Sequence, residues 1–67
     1  MSVAKVIELS AESSESFDHA IEEGLDRARK TLDHLKSVWV KDQEIVLDES
    51  GGVSHYRVHL KVTFLLE

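Results

Sequence analysis

The side chains with the most chemical potential cluster near the end of the chain. In "VSHYRVHLKVTFLL" (Val53 to Leu66), His55, Arg57, His59 and Lys61 alternate with apolar residues. A β-strand sends successive side chains to opposite faces, so these donors share one face. In an otherwise acidic chain such a stripe suits an anionic or polar ligand, and the Arg57 guanidinium also stacks on flat rings. An ordinary solvated strand face is the plainer alternative. The only tryptophan, Trp39, lies in "DHLKSVWVKDQEIVL" (Asp33 to Leu47). It is either a packing residue or a platform for a flat ligand.

Four histidines raise the question of a metal. His55 and His59 share a strand face but stand about 13 Å apart at ~3.3 Å per residue, so one zinc cannot bridge them within a chain. His19 and His34 fall on or near the polar face of a helix. "LDESGG" lacks the alternating oxygen ligands and closing glutamate of an EF-hand. Asp48 and Glu49 could still join carboxylates of other copies at a symmetry axis and gather calcium or magnesium; an acidic hairpin tip is the alternative. No catalytic constellation is present. A nucleophilic serine needs an adjacent base and an oxyanion site, and Ser10, Ser13, Ser14 and Ser16 read as helix-entry residues. The expectation is a protein that is not an enzyme.

These residues need elements to hold them. "VAKVIEL" (Val3 to Leu9) is β-branched and reads as a strand, with Val3, Ile7 and Leu9 on one face and Ala4 and Val6 on the other. From Phe17 through Ala20, Ile21, Gly24, Leu25, Ala28 and Leu32 to Leu35, apolar residues recur at the α-helical period. Ser13 or Ser14 can cap this helix, with Glu15 in the first turn. Glu23 with Arg27 and Asp26 with Lys30 form acid-before-base pairs four apart. Gly24, in a row with Ala20 and Ala28, points to close packing of helix on sheet. "SVWVKDQEIVL" (Ser37 to Leu47) and Val53 to Leu66 read as two strands of a hairpin, joined by "DESGG", whose glycines tolerate positive φ.

The chain has 67 residues and no cysteine or proline. It forms one domain, residues 1–67, and a core this small supplies only about 3–5 kcal/mol without a staple. With disulfides excluded, association with other copies or a ligand is what remains. One helix covers one face of a three-stranded sheet and leaves its edges open, an association hazard unless they are paired. A homo-oligomer is therefore expected. The formal charge of −5 opposes nucleic-acid binding, which depends on phosphate neutralisation, and disfavours an anionic membrane surface. No apolar run approaches the ~20 residues of a membrane span, and "MSVAKVIELS" lacks the features of a signal peptide. A cytoplasmic location is the default expectation.

The strand–helix–strand–strand order, "KVIELS" with its Ser/Glu helix entry, "AIEEGLDRARKTLDHL" and "YRVHLKVTF" together resemble the dodecin family over nearly the whole chain. The resemblance implies an α+β fold, a three-stranded antiparallel sheet wrapped around one helix, with twelve copies forming a hollow sphere. It also implies non-enzymatic binding and storage of a flavin such as riboflavin or FMN. In flavin-binding members a tryptophan at the start of the second strand stacks on the ring. A glutamine of the third strand meets the ring's edge, and an acid meets the ribityl chain. Anchored on "TLDHL" and "VKDQ", those positions fall on Ser37, Arg57 and Asp42 respectively. Trp39 lies two residues past Ser37 and, by strand alternation, shares its face. The resemblance therefore implies Trp39 as the stacking ring, Asp42 as the sugar-chain acceptor, and Arg57 as edge donor or phosphate partner. A second tier of dodecins lacks the flavin tryptophan, shares a "YR" third strand, and has been associated with calcium. The competing expectation is thus a flavin-free cage that binds a divalent cation or is purely structural.

Overall fold

The computed structural model describes residues 3–66. Strand β1 (Ala4–Ser13) is followed by helix α1 (Phe17–Thr31) and by strands β2 (Leu35–Leu47) and β3 (Val53–Leu65). All pairings are antiparallel and the strand order is β1-β3-β2. This is the expected fold. The strand with the most regular alternation takes the centre, because only a central strand buries one full side row beneath a helix while pairing on both edges. Val58, Leu60 and Val62 of β3 are at most 1% exposed.

Helix α1 meets this row with its smallest side chains. Ala20, Gly24 and Ala28 are its buried residues. A Cβ at Gly24 would stand 2.8 Å from Leu60 Cδ1 and 3.3 Å from Ala11 Cβ. Glycine lets helix and sheet approach there, and the ordinary helix cost of glycine, about 1 kcal/mol relative to alanine, is offset by that approach. At the helix entry, Phe17 packs edge-on against Tyr56, with ring centroids 5.1 Å apart.

Element boundaries differ from the sequence reading in three places. Strand β1 runs past Leu9 to Ser13, since Ser10 to Ser13 pair with His59 to Tyr56 of β3; the ladder overrides the weak strand propensity of a Ser/Glu segment. The N-cap is Ser16 rather than Ser13 or Ser14, its hydroxyl accepting from the His19 amide at 3.0 Å. Ser13 is buried instead. Its Oγ accepts from the Glu15 amide and shares a 2.7 Å hydrogen bond with His19 Nδ1, tying strand end to helix start. Leu35, the last residue of the helical stripe, belongs to β2 and pairs with Phe64. His34 reverses the chain before it, at φ 60° in the left-handed region, and its carbonyl accepts from the Leu65 amide.

The expected helical ion pairs are replaced by others among the described residues. Asp26 meets Arg29 at 3.0 Å, and Glu23 lies 3.5 Å from His19 Nε2. The hairpin turn is organised by Asp48, whose Oδ1 accepts from the amides of Ser50 and Gly52 and from the Ser50 hydroxyl. Gly51 at φ 89° completes it. The body measures 52 × 19 × 14 Å. A 15-residue helix spans only about 22 Å, so α1 covers part of the sheet's length. Ile45, Leu47 and Val53, towards the hairpin end, stay about half exposed.

Candidate functional site

The sheet face away from α1 carries the polar stripe. Residues paired across an antiparallel ladder point to the same side, and His55, Arg57, His59, Lys61 and Thr63 alternate with the buried row of β3. Their partners therefore line the open face: Glu8, Ser10 and Glu12 from β1, and Ser37, Trp39, Asp42 and Glu44 from β2. Parity alone puts Trp39 and Asp42, three apart, on opposite faces. The β2–β3 register shifts between Leu35 and Ser37 and again between Val40 and Asp42. Each shift inserts one extra residue, Lys36 and Lys41, and flips the phase of the strand. Ser37, Trp39, Asp42 and Arg57 all reach the same surface as a result.

Trp39 is 66% exposed, with Lys61 Nζ 5.3 Å from the indole centroid, a cation–π contact. Such contacts contribute about 0.5–1 kcal/mol at exposed sites. Asp42 Oδ1 lies 3.7 Å from His59 Nε2. Arg57 is bracketed by two carboxylates: Nε donates to Glu12 at 2.6 Å and a terminal nitrogen to Glu44 at 3.2 Å. Glu44 also meets His59 Nε2 at 3.1 Å, and Glu12 lies 3.3 Å from His55 Nε2. Lys41 reaches across to Glu8 at 3.3 Å.

These contacts set the ionisation of the cluster. The Arg57 hydrogen bond holds the Glu12 carboxyl below the usual range. For Glu44 the His59 hydrogen bond is the larger cause and Arg57 the next. Arg57 is raised in turn by Glu12 and then Glu44. Both glutamates are depressed in the folded chain. Their stabilisation is therefore complete above the unfolded value of about 4.3 and lost as pH falls through the lower folded values. The melting temperature is expected to fall as pH drops from about 5 to about 3. The double variant Glu12→Gln/Glu44→Gln should flatten that drop. An identical pH profile for the two proteins in thermal melts would refute the assignment.

The metal candidates lie elsewhere. Asp48 and Glu49 sit exposed at the hairpin tip, outside the ion-paired cluster of the open face. The Asp48 carboxyl is held below its usual range by the Ser50 hydroxyl and then the Gly52 amide, so one of its oxygens already serves the turn. Among the described residues no three His, Asp or Glu side chains are placed to hold a metal ion within one protomer. Glu12 and Glu44, which clamp Arg57, were not foreseen. Glu44 was within reach, being two residues from Asp42 on the same strand.

The fold and face define a small β-α-β-β domain with a helix-covered core side and a charged, tryptophan-bearing open side. The chain belongs to the dodecin family: a family model described as Dodecin matches residues 3–67. It is 45% identical over 65 residues to a dodecin of Thermus thermophilus, covering 97% of this chain and 93% of the relative. It is 36% identical over 64 residues to the calcium dodecin of Mycobacterium tuberculosis, covering 96% of this chain and 89% of the relative. A crystal structure of a point mutant of the Thermus dodecin superposes with a TM-score of 0.91 at 43% identity, covering 100% of this chain and 98% of that one. The structure described as a calcium-chelating antigen, calcium dodecin of M. tuberculosis, with a novel calcium-binding site, gives 0.86 at 33% identity, covering 98% and 93%.

Proposed function

We propose that the protein is a non-catalytic binder that stores or sequesters a flat heteroaromatic ligand of the flavin class on the open face, in a homo-oligomer whose packing covers that face. The observation that carries this reading is the convergence of Ser37, Trp39, Asp42 and Arg57 on one side of the sheet through the two shifts in β2. Trp39 offers the stacking ring, and Ser37 leaves room beside it. Asp42 accepts from a polyol chain, and the N–H groups of Arg57 not engaged by Glu12 and Glu44 donate to carbonyls on the ring's edge. Among the described residues one protomer encloses no pocket, so a ligand here needs a second copy to shield it from water. The dodecameric shell that the family name denotes supplies such a cover, and the open edges of β1 and β2 supply its contacts.

The test is a riboflavin titration followed by flavin fluorescence, with visible absorption of the purified protein. Quenching at micromolar riboflavin is expected, together with an elution mass far above 7.6 kDa. Trp39→Ala should weaken binding roughly 5–150-fold, the range of one aromatic stack. Fluorescence unchanged by the protein would sink the flavin reading.

A second reading draws on the M. tuberculosis relative, named a calcium dodecin. Here calcium or magnesium is gathered by carboxylates of several copies, with Asp48 and Glu49 as this chain's contribution. Calorimetry with each chloride salt tests it, with Glu49→Gln as the variant. A protein that binds neither flavin nor cation would be a structural cage.

A further inference from the structure

The charge of the open face bears on which ligand it takes. It carries four carboxylates, Glu8, Glu12, Asp42 and Glu44, against three fixed cations, Lys41, Arg57 and Lys61. The cations are already engaged. Lys41 pairs with Glu8, Arg57 with both Glu12 and Glu44, and Lys61 rests over the Trp39 ring. Arg57 matters most. It is the cation at the centre of the face, and two carboxylates outweigh its single charge. Engaging Nε and one terminal N–H still leaves three of the five guanidinium N–H groups for neutral acceptors. The guanidinium therefore remains a hydrogen-bond donor and ceases to be an anion receptor. The field of a chain with formal charge −5 adds to this.

We infer that the open face selects uncharged flat rings and rejects their phosphorylated forms, with Glu12 and Glu44 as the residues that set this preference by neutralising Arg57. The inference rests on the flavin reading above. It names the ligand class as riboflavin-like rather than FMN-like. A phosphate monoester carries about −1.5 to −2 at neutral pH, and it would enter a face whose Lys41 and Arg57 are already paired with carboxylates, leaving Lys61, over the indole, as the one of the three cations without a carboxylate partner among the described residues.

The experiment compares riboflavin and FMN with the full-length protein by fluorescence quenching at two salt concentrations. Riboflavin is expected to bind about tenfold or more tightly than FMN at low salt, and added NaCl should narrow the gap by screening the repulsion. Glu44→Gln should narrow it severalfold at constant salt, chiefly by tightening FMN. FMN binding as tight as riboflavin, or weakened by salt, overturns the inference while leaving the flavin reading intact. If that FMN affinity then falls in Lys61→Met, Lys61 is the phosphate partner. Binding of neither flavin overturns both.

Discussion

Leu60→Ala is expected to leave the chain largely unfolded at 25 °C in dilute solution. Leu60 is 1% exposed and sits at the meeting point of α1, β1 and β3. Leucine-to-alanine changes in cores cost about 2–5 kcal/mol, more when the site cannot collapse. Collapse is hindered here, because the helix residue facing Leu60 is glycine and has no side chain to move inward. A core of this size supplies only about 3–5 kcal/mol, so the loss is comparable to the whole. Urea denaturation followed by circular dichroism measures it. Midpoints must be compared at equal chain concentration, since the proposed association would stabilise the folded chain by mass action. A loss below about 1 kcal/mol would mean that the helix settles into the space, against the cavity argument.

Gly24→Val is the converse experiment and the second large effect. The added Cβ alone would stand 2.8 Å from Leu60 Cδ1, and two γ-carbons deepen the clash. Overpacking of this kind costs about 1–3 kcal/mol or more. Gly24→Ala is gentler, because a helix-propensity gain of about 1 kcal/mol opposes the contact. The two sites should be coupled. In the Leu60→Ala background the obstructing methyl is gone, and Gly24→Ala should turn from neutral or harmful to stabilising. A double-mutant cycle reads this directly; additive effects would show that Gly24 and Leu60 do not constrain one another.

The fold was legible because its two periods are clean. The alternation from Tyr56 to Phe64 marks a strand with one buried face, and the row Ala20, Gly24, Ala28 marks a helix that approaches closely. Strand β1 was read too short, since Ser10 to Ser13 hold strand geometry by pairing with β3, and pairing is not written in local propensity. Leu35 fits a helical stripe and a strand equally well by position, and only the left-handed turn at His34 decides between them. At the site, parity sufficed for Ser37 with Trp39 and for the stripe of β3. It did not suffice for Asp42, whose facing depends on an extra residue. Nor could it show that Arg57 is clamped, because Glu12 and Glu44 lie 45 and 13 residues away and meet it only through the register of three strands.

The extra residue at Lys41 has a consequence for how this chain can change over time. Substitutions along β2 alter one side chain each, but insertions and deletions act on the strand as a reading frame. Loss of Lys41 alone would leave Val40 and Asp42 as successive residues of a regular ladder, each keeping its present face and its present partner on β3. A residue lost from a paired position has no such neutral outcome: without Gln43, drawing Lys41 into the ladder keeps Glu44 on the open face only by turning Asp42 towards the helix side. The strand is therefore tolerant of a change in length at Lys41 and intolerant of one at its paired positions.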